Sequence, residues 1–336
     1  MNVISSKKIK CYGASLLILL ALISGFILSL YGQSEFSLHL DDVLGMIIAP
    51  DSNNIKQQVI FSLRLPRSLA ACLIGFNLGI AGILMQGLTR NPLASPTLFA
   101  INSGAACLMV FNSIGFGMFS GLPVEVATFL GALCGGLLVF ILGGGLNSHN
   151  NPLRLILAGI AVNALLTSLT RAAVIIADDK AYSLINWLSG SLSEIDWQNW
   201  TQLWPISVVS IIIAFSTSHG LNLNSLGEQT AQSLGINVTW MRIRVCLAVL
   251  LLTSISVTLA GPIVFIGLIV PHIARAFFVN NHFILIPASG FLGATLVCWT
   301  DLLSRCITPP AETPVGILTA LIGTPFFIYL VLKGKL

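Results

Sequence analysis

Residues 12–31 read YGASLLILLALISGFILSLY. The run carries no charge. As a helix rising 1.5 Å per residue it spans about 30 Å, the thickness of a bilayer's hydrocarbon core. It follows a basic start, Lys7, Lys8 and Lys10. A cleaved secretory leader has an apolar region of about 7–15 residues and a small-x-small cleavage site. This run is longer and has no such site, so it reads as a retained first membrane span.

The pattern recurs along the chain. Breaks in it predict spans at 12–31, 66–88, 96–112, 123–143, 153–177, 203–218, 243–260, 262–279, 284–304 and 314–332. The 336 residues are 55% apolar and 8% charged, with a mean hydropathy of +0.92. A soluble domain has about 45–50% apolar and about 25% charged residues. Too few charges remain to cover a soluble globule, which excludes an ordinary soluble enzyme, a disulfide-rich secreted scaffold and a disordered chain. The long runs also exclude a transmembrane barrel, whose strands alternate over short segments. The fold class is therefore all-α: a polytopic membrane protein of about ten transmembrane helices, one domain over residues 1–336. The 30 glycines and 14 prolines fit such a bundle, where small residues let helices approach and neighbours satisfy the backbone freed at a proline. Gly75-x-x-x-Gly79, Gly131-x-x-x-Gly135 and Pro271 in the eighth span read as close packing of this kind.

Lys and Arg in short loops set the orientation. With both termini inside, ten of the 16 basic residues fall on the inner side and six on the outer. Eleven of the 12 acids, all but Glu228, fall outside or near the outer edge. Arg64 and Arg67, flanking Leu65-Pro66, and Arg305 run against the positive-inside trend at the outer ends of spans two and nine. The larger outer loops are 33–63 and 178–202; Trp187, Trp197, Trp200 and Trp204 fit the lipid–water boundary. The largest inner loop, 219–241, places Leu226, Thr230, Ala231 and Leu234 on one helical stripe between Gly227 and Gly235. A short amphipathic helix follows, either packed on its own bundle or docking a soluble partner.

Chemistry-bearing motifs are missing. The seven cysteines form no CxxC or Cys/His cluster, so neither a zinc site nor a disulfide framework is supported. There is no phosphate-binding loop, no Gly-x-Ser-x-Gly elbow and no His-Glu-x-x-His pair. His272, beside Pro271, reads as a structural residue. The net charge of +4 gives no indication of nucleic acid. No metal site or cofactor is expected. The chain moves something rather than transforming it, and any ATP hydrolysis belongs to another polypeptide.

Seven stretches then point to a family: Arg64-Leu-Pro-Arg67; Gln86-Gly-Leu-Thr-Arg-Asn-Pro-Leu-Ala-Ser-Pro96; Leu157-Ala-Gly-Ile-Ala161; Trp187-Leu-Ser-Gly-Ser-Leu192; Leu226-Gly-Glu-x-x-Ala-x-x-Leu-Gly235; Gly261-Pro-Ile-Val-Phe-Ile-Gly-Leu-Ile-Val-Pro-His-Ile-Ala-Arg275; and Pro314-Val-Gly-Ile-Leu-Thr-Ala-Leu-Ile-Gly323. In these the chain resembles the permease subunits of bacterial ABC importers for iron–siderophore complexes, haem and cobalamin. Ala100-Ile-Asn-Ser-Gly-Ala-Ala106 and Leu169-Thr-Arg-Ala172 look most like a ferric-citrate importer permease. The resemblance implies ten helices in the bacterial inner (plasma) membrane and a second permease subunit, identical or different. It also implies two cytoplasmic ATPase subunits, a periplasmic or lipid-anchored substrate-binding protein and an iron-chelate substrate.

Three groups of residues are assigned on this footing. Arg64, Arg67 and Arg305 are expected to dock the binding protein, arginine being suited to carboxylates through its planar fork; local pairing with Asp301 or Glu312 is the competing reading. Leu226, Gly227, Glu228, Ala231, Leu234 and Gly235, in a coupling helix at about 226–236, are expected to meet the ATPase. Arg171 lies about 9 Å from the outer end of span five, a depth at which a charge faces a cavity or snorkels outward. It is assigned to the pathway, facing an anionic chelate, together with Asn102 and Asn163. The same machine for cobalamin or haem is the nearest rival. A secondary transporter or channel would show an inverted repeat or intramembrane acids. No repeat is evident, and Glu125 and Asp301 lie toward the outer ends of their spans.

Overall fold

The computed structural model describes residues 2–32, 38–48, 51, 53–116, 121–144, 152–309 and 311–333, and among these it contains helices and no strand. Ten helices coincide with the ten expected spans: α1 (Asn2–Tyr31), α2 (Leu65–Thr89), α3 (Ile101–Ser113), α4 (Val124–Leu142), α5 (Pro152–Ile176), α6 (Trp197–Ser216), α7 (Val238–Ala260), α8 (Ile266–Phe277), α9 (His282–Ile307) and α10 (Val315–Leu332). By length and apolarity alone, six helical segments among the described residues are long enough to cross a membrane. They become seven if α6 is counted with Ser218–Asn224, which bends from it by 42°.

Two spans are shorter than the apolar pattern predicts. The third, expected from 96, is split: a 3-10 turn at Pro96–Phe99 ends at Ala100, whose φ of 51° is left-handed, and α3 starts after it. The eighth, expected from 262, starts at Ile266, because 261–265 is non-helical and Phe265 sits at φ 69°. Gly261, at φ 67° and ψ −173°, adopts a backbone reserved for glycine. Elsewhere local chemistry sets the ends. Asp196 and Asn199 cap α6 reciprocally, and Asn237 and Asn281 cap α7 and α9. Pro66 lies just after a π-helical turn at Ile60–Arg64, inside the continuous helical run Ile55–Thr89. The outer loops also contain helix, at Leu40–Ile48 and Ala181–Leu188, while Ile55–Val59 runs directly through the π-helical turn into α2.

The buried axis of the bundle is α2. A carbon added to Gly75 would lie 2.2 Å from the Gly293 carbonyl oxygen of α9, one on Gly79 2.2 Å from that of Ser289, and one on Gly82 2.2 Å from that of Gly267 in α8. The backbones therefore touch. Gly104 and Gly131 bring α3 and α4 together in the same way, at 2.2 Å. Packing of this closeness replaces the hydrophobic drive that lipid cannot provide. By contrast α1, α5 and α10 leave large apolar side chains uncovered, among them Leu17, Leu157, Ile175, Leu321 and Leu332.

Candidate functional site

Three groups of polar side chains stand out from the apolar bundle. The first lines a cavity of about 450 Å³ between the 96–106 segment, α5 and the non-helical 262–264 link. Its walls include Thr97, Asn102 and Ser103 on one side, and Asn163, Thr167, Thr170 and Arg171 on the other. Leu188 and Pro262 form part of its boundary. Both backbone breaks that shape it are left-handed at non-glycine residues, Ala100 and Phe265; such strained positions persist only where the surroundings enforce them. Arg171, Asn102 and Asn163, assigned to one pathway, thus share one cavity. The Asn102 side-chain oxygen is buried without a hydrogen-bond partner. Arg171 is exposed and is the sole charged residue of the lining among the described residues.

Thr167 and Thr170 were missed by the sequence reading. The signal was present: 163, 167, 170 and 171 recur at helical spacing on one face of α5. Near the cavity wall, three segments interlock through glycine. The Ser191 N–H donates to the Ala260 carbonyl and the Gly316 N–H to the Gly190 carbonyl. A carbon on Gly316 would meet the Ser189 oxygen at 2.2 Å. The start of α10 is thereby fixed to the residues beside Leu188 and Pro262.

The second group joins the ends of α1, α2 and α9. Asp301, fully buried, accepts from Arg67 Nε and Nη2 at 2.9 and 2.7 Å and from Arg305 Nη2 at 2.9 Å. Arg305 also donates to the Ser29 carbonyl and hydroxyl at 3.0 and 2.7 Å. Glu312 takes two further bonds from Arg67, at 2.9 and 2.8 Å, and its side chain is 33% exposed. Arg67 and Arg305 are 7% and 5% exposed. Both are thus engaged within the chain, as the local-pairing reading described. Arg64 is half-buried and donates to the Gly32 carbonyl at 2.9 Å. The three arginines do converge on one end of the bundle, but two of them lie beneath its surface.

The third group lies at the opposite end. The 226–236 segment forms a helix at Glu228–Ser233 between Gly227 and Gly235, whose φ values of 115° and 84° require glycine. Leu226 and Leu234 project outward, 64% and 57% exposed, whereas Ala231 is fully buried. The expected single stripe is split, with Ala231 anchoring the helix on its own bundle. Glu228 pairs with Arg242 at 2.8 Å, fixing the helix to the start of α7. Behind it, Asn222 Nδ2 donates to Asn281 Oδ1 at 2.8 Å, and Asn222 Oδ1 accepts from the His282 backbone N–H at 2.8 Å. Arg275 donates to Gln86, whose amide nitrogen reaches the Leu268 carbonyl at 3.3 Å. This network, absent from the sequence reading, ties the 218–224 helix, α2, α8 and α9 together. Its members are isolated polar residues at helix ends, indistinguishable by sequence from ordinary caps.

Among the described residues no three of His, Cys, Asp and Glu gather as metal ligands would.

The FecCD transport family profile matches residues 16–333. The Fe(3+) dicitrate transport system permease protein FecC of Escherichia coli is 40% identical over 93% of this chain and 94% of its own length. The Fe(3+)-citrate import system permease protein YfmD of Bacillus subtilis is 39% identical over 90% and 89%. A solved structure described as an inward-facing conformation of a metal-chelate type ABC transporter superposes with a TM-score of 0.81. It is 31% identical and covers 96% of this chain and 98% of that one.

Proposed function

The chain belongs to the FecCD transport family, and from that premise we propose that it is the membrane permease subunit through which a bacterial ABC importer passes an anionic iron chelate, ferric citrate being the best fit. The observation carrying this reading is the cavity holding Arg171. One guanidinium stands among amide and hydroxyl groups, and among the described residues no acid joins the lining. A carboxylate-rich chelate meets such a wall through charge-assisted hydrogen bonds to the arginine and ordinary ones to Asn102, Asn163 and Thr167. The similarity to permeases named for iron dicitrate and iron citrate supports the same substrate. The iron travels inside its chelate, so the wall needs no metal ligand of its own.

The permease works with partners. A second permease subunit completes the pathway along the uncovered faces of α5 and α10. Two ATPase subunits on the cytoplasmic side hydrolyse ATP and press on Leu226 and Leu234; Gly227 and Gly235 let the chain turn into and out of the short helix. Glu228 and Ala231 transmit the push, one through Arg242 and the other by direct packing. A substrate-binding protein docks from outside over Arg64, with Arg67 and Arg305 held rigid beneath it by Asp301. Both termini are then cytoplasmic, in the inner membrane.

A strain lacking this permease, offered radio-labelled ferric citrate, haem and cobalamin in turn, tests the substrate. Loss of ferric citrate uptake alone is the expected result. Loss of haem or cobalamin uptake with ferric citrate unaffected would reassign the substrate.

A further inference from the structure

Five arginines bond groups of their own chain: Arg64, Arg67, Arg242, Arg275 and Arg305. Arg171 and Arg244 differ. Each lines a cavity, and neither has a hydrogen bond or ion pair among the described residues. The cavity of Arg171 is the proposed pathway. That of Arg244 lies at the far end, about 460 Å³ between the end of α6 and the start of α7.

Besides the Ser216 and Thr217 hydroxyls, which donate to carbonyls of α6, four donors line it: the Arg244 guanidinium, the His219 ring, the Trp240 indole and the Asn237 amide nitrogen. None of the four is bonded among the described residues, and no carboxylate shares the lining. The cavity therefore presents donors and positive charge to an acceptor the chain does not supply.

The surroundings identify that acceptor. Ile212 and Ser216 follow one face of α6 up to its end, with His219 just past the 42° bend, and Trp240, Arg244 and Leu247 follow one face of α7 at helical spacing. Ile212 is 64% exposed and Leu247 43% exposed, so an uncovered apolar stripe runs from each side of the cavity toward the middle of the membrane. Trp240 and Arg244 sit within the first two turns of α7, and Trp240 is of the type that settles at the lipid–water boundary. An occupant matching both parts has an anionic head and apolar tails. We infer that this cavity binds the phosphate of an anionic phospholipid, with acyl chains lying along Ile212 and Leu247. An acidic protein surface would satisfy Arg244 but leave both stripes unused. Assignment to the cytoplasmic leaflet rests on the topology proposed above; the existence of the site does not.

The test uses the full chain purified in neutral detergent. Native mass spectrometry and thermal unfolding are read with phosphatidylglycerol, phosphatidylcholine and glycerol phosphate. Phosphatidylglycerol should bind roughly five-fold more tightly than phosphatidylcholine, the effect of one arginine at a headgroup. Arg244→Gln should erase the preference and Arg244→Lys should retain part of it. Arg154→Gln, at an exposed arginine outside the cavity, should leave it unchanged. The inference is overturned if wild type shows no preference or if Arg244→Gln keeps it. It is also overturned if glycerol phosphate binds as well as the lipid, which would make this a free-anion site. Preference unchanged in Arg244→Gln, with ATPase co-purification lost, would make Arg244 a protein contact instead. Labelling of Asn237→Cys from outside the cell would overturn the leaflet and leave the site standing.

Discussion

Arg67 and Asp301 lie 234 residues apart in sequence, yet one oxygen of Asp301 accepts two bonds from the Arg67 guanidinium. The other oxygen holds Arg305. A single buried carboxylate thus joins α2 to α9, and α1 through Ser29. Replacing Asp301 by Asn leaves Arg305 buried without its carboxylate and Arg67 with Glu312 alone. The expected loss is about 3–5 kcal/mol, the scale for breaking a buried pair on one side. Glu312→Gln, at the exposed rim, should cost at most about 1 kcal/mol. Melting of the purified chain compares them; equal effects would contradict the bridging role of Asp301.

The same geometry changes how docking is tested. Arg67→Ala and Arg305→Ala act through the fold, so weak docking in either is ambiguous. Arg64→Glu leaves the Asp301 bridge intact. It should weaken capture of the loaded binding protein about tenfold or more through like-charge repulsion. Reversing an acidic residue on the binding protein should restore part of that loss, read by surface plasmon resonance at fixed ionic strength. Unchanged affinity would remove Arg64 from the docking face.

At the other end, Leu234→Glu alters an exposed side chain. Its stability cost should stay within about 0.5 kcal/mol, while ATP hydrolysis ceases to drive transport. Ala231→Glu places a charge in a fully buried site and should prevent folding. Coupled ATPase activity in the Leu234 variant, measured in proteoliposomes, would show that the 228–233 helix does not contact the ATPase.

Glycine packing gives a sharper contrast. Gly75→Ala sets a carbon 2.2 Å from the Gly293 oxygen and should cost about 1–3 kcal/mol, the range for overpacking. Gly13→Ala meets nothing within 4 Å and should be neutral or slightly stabilising, as alanine is the better helix former. Thermal melting of the two variants side by side checks this.

The positions of the ten helices were legible because an apolar run of membrane length has few other uses. The break at Gly261-Pro262 was legible too, but the turn at Ala100 and the continuation of non-helical backbone to Phe265 were not, because left-handed alanine and phenylalanine carry no compositional mark. Arg171, Asn102 and Asn163 could be singled out as polar residues in apolar spans. Their common cavity depends on how α3 meets α5, which no local pattern encodes. The exceptions Arg64, Arg67 and Arg305 were visible against the charge bias. Sequence placed Asp301 nearby but could not show that its carboxylate engages both Arg67 and Arg305. The stripe through Leu226, Ala231 and Leu234 named the right helix, yet only the packing of Ala231 separates the anchored face from the free one.

The central claim is that an anionic chelate passes Arg171. The most direct test is ATP-driven uptake of radio-labelled ferric citrate by proteoliposomes holding the complete importer, wild type against Arg171→Gln. The account predicts a fall in uptake of about tenfold or more, the scale of one lost charge-assisted contact, with binding-protein capture unchanged. Uptake equal to wild type in the Arg171→Gln importer would contradict it.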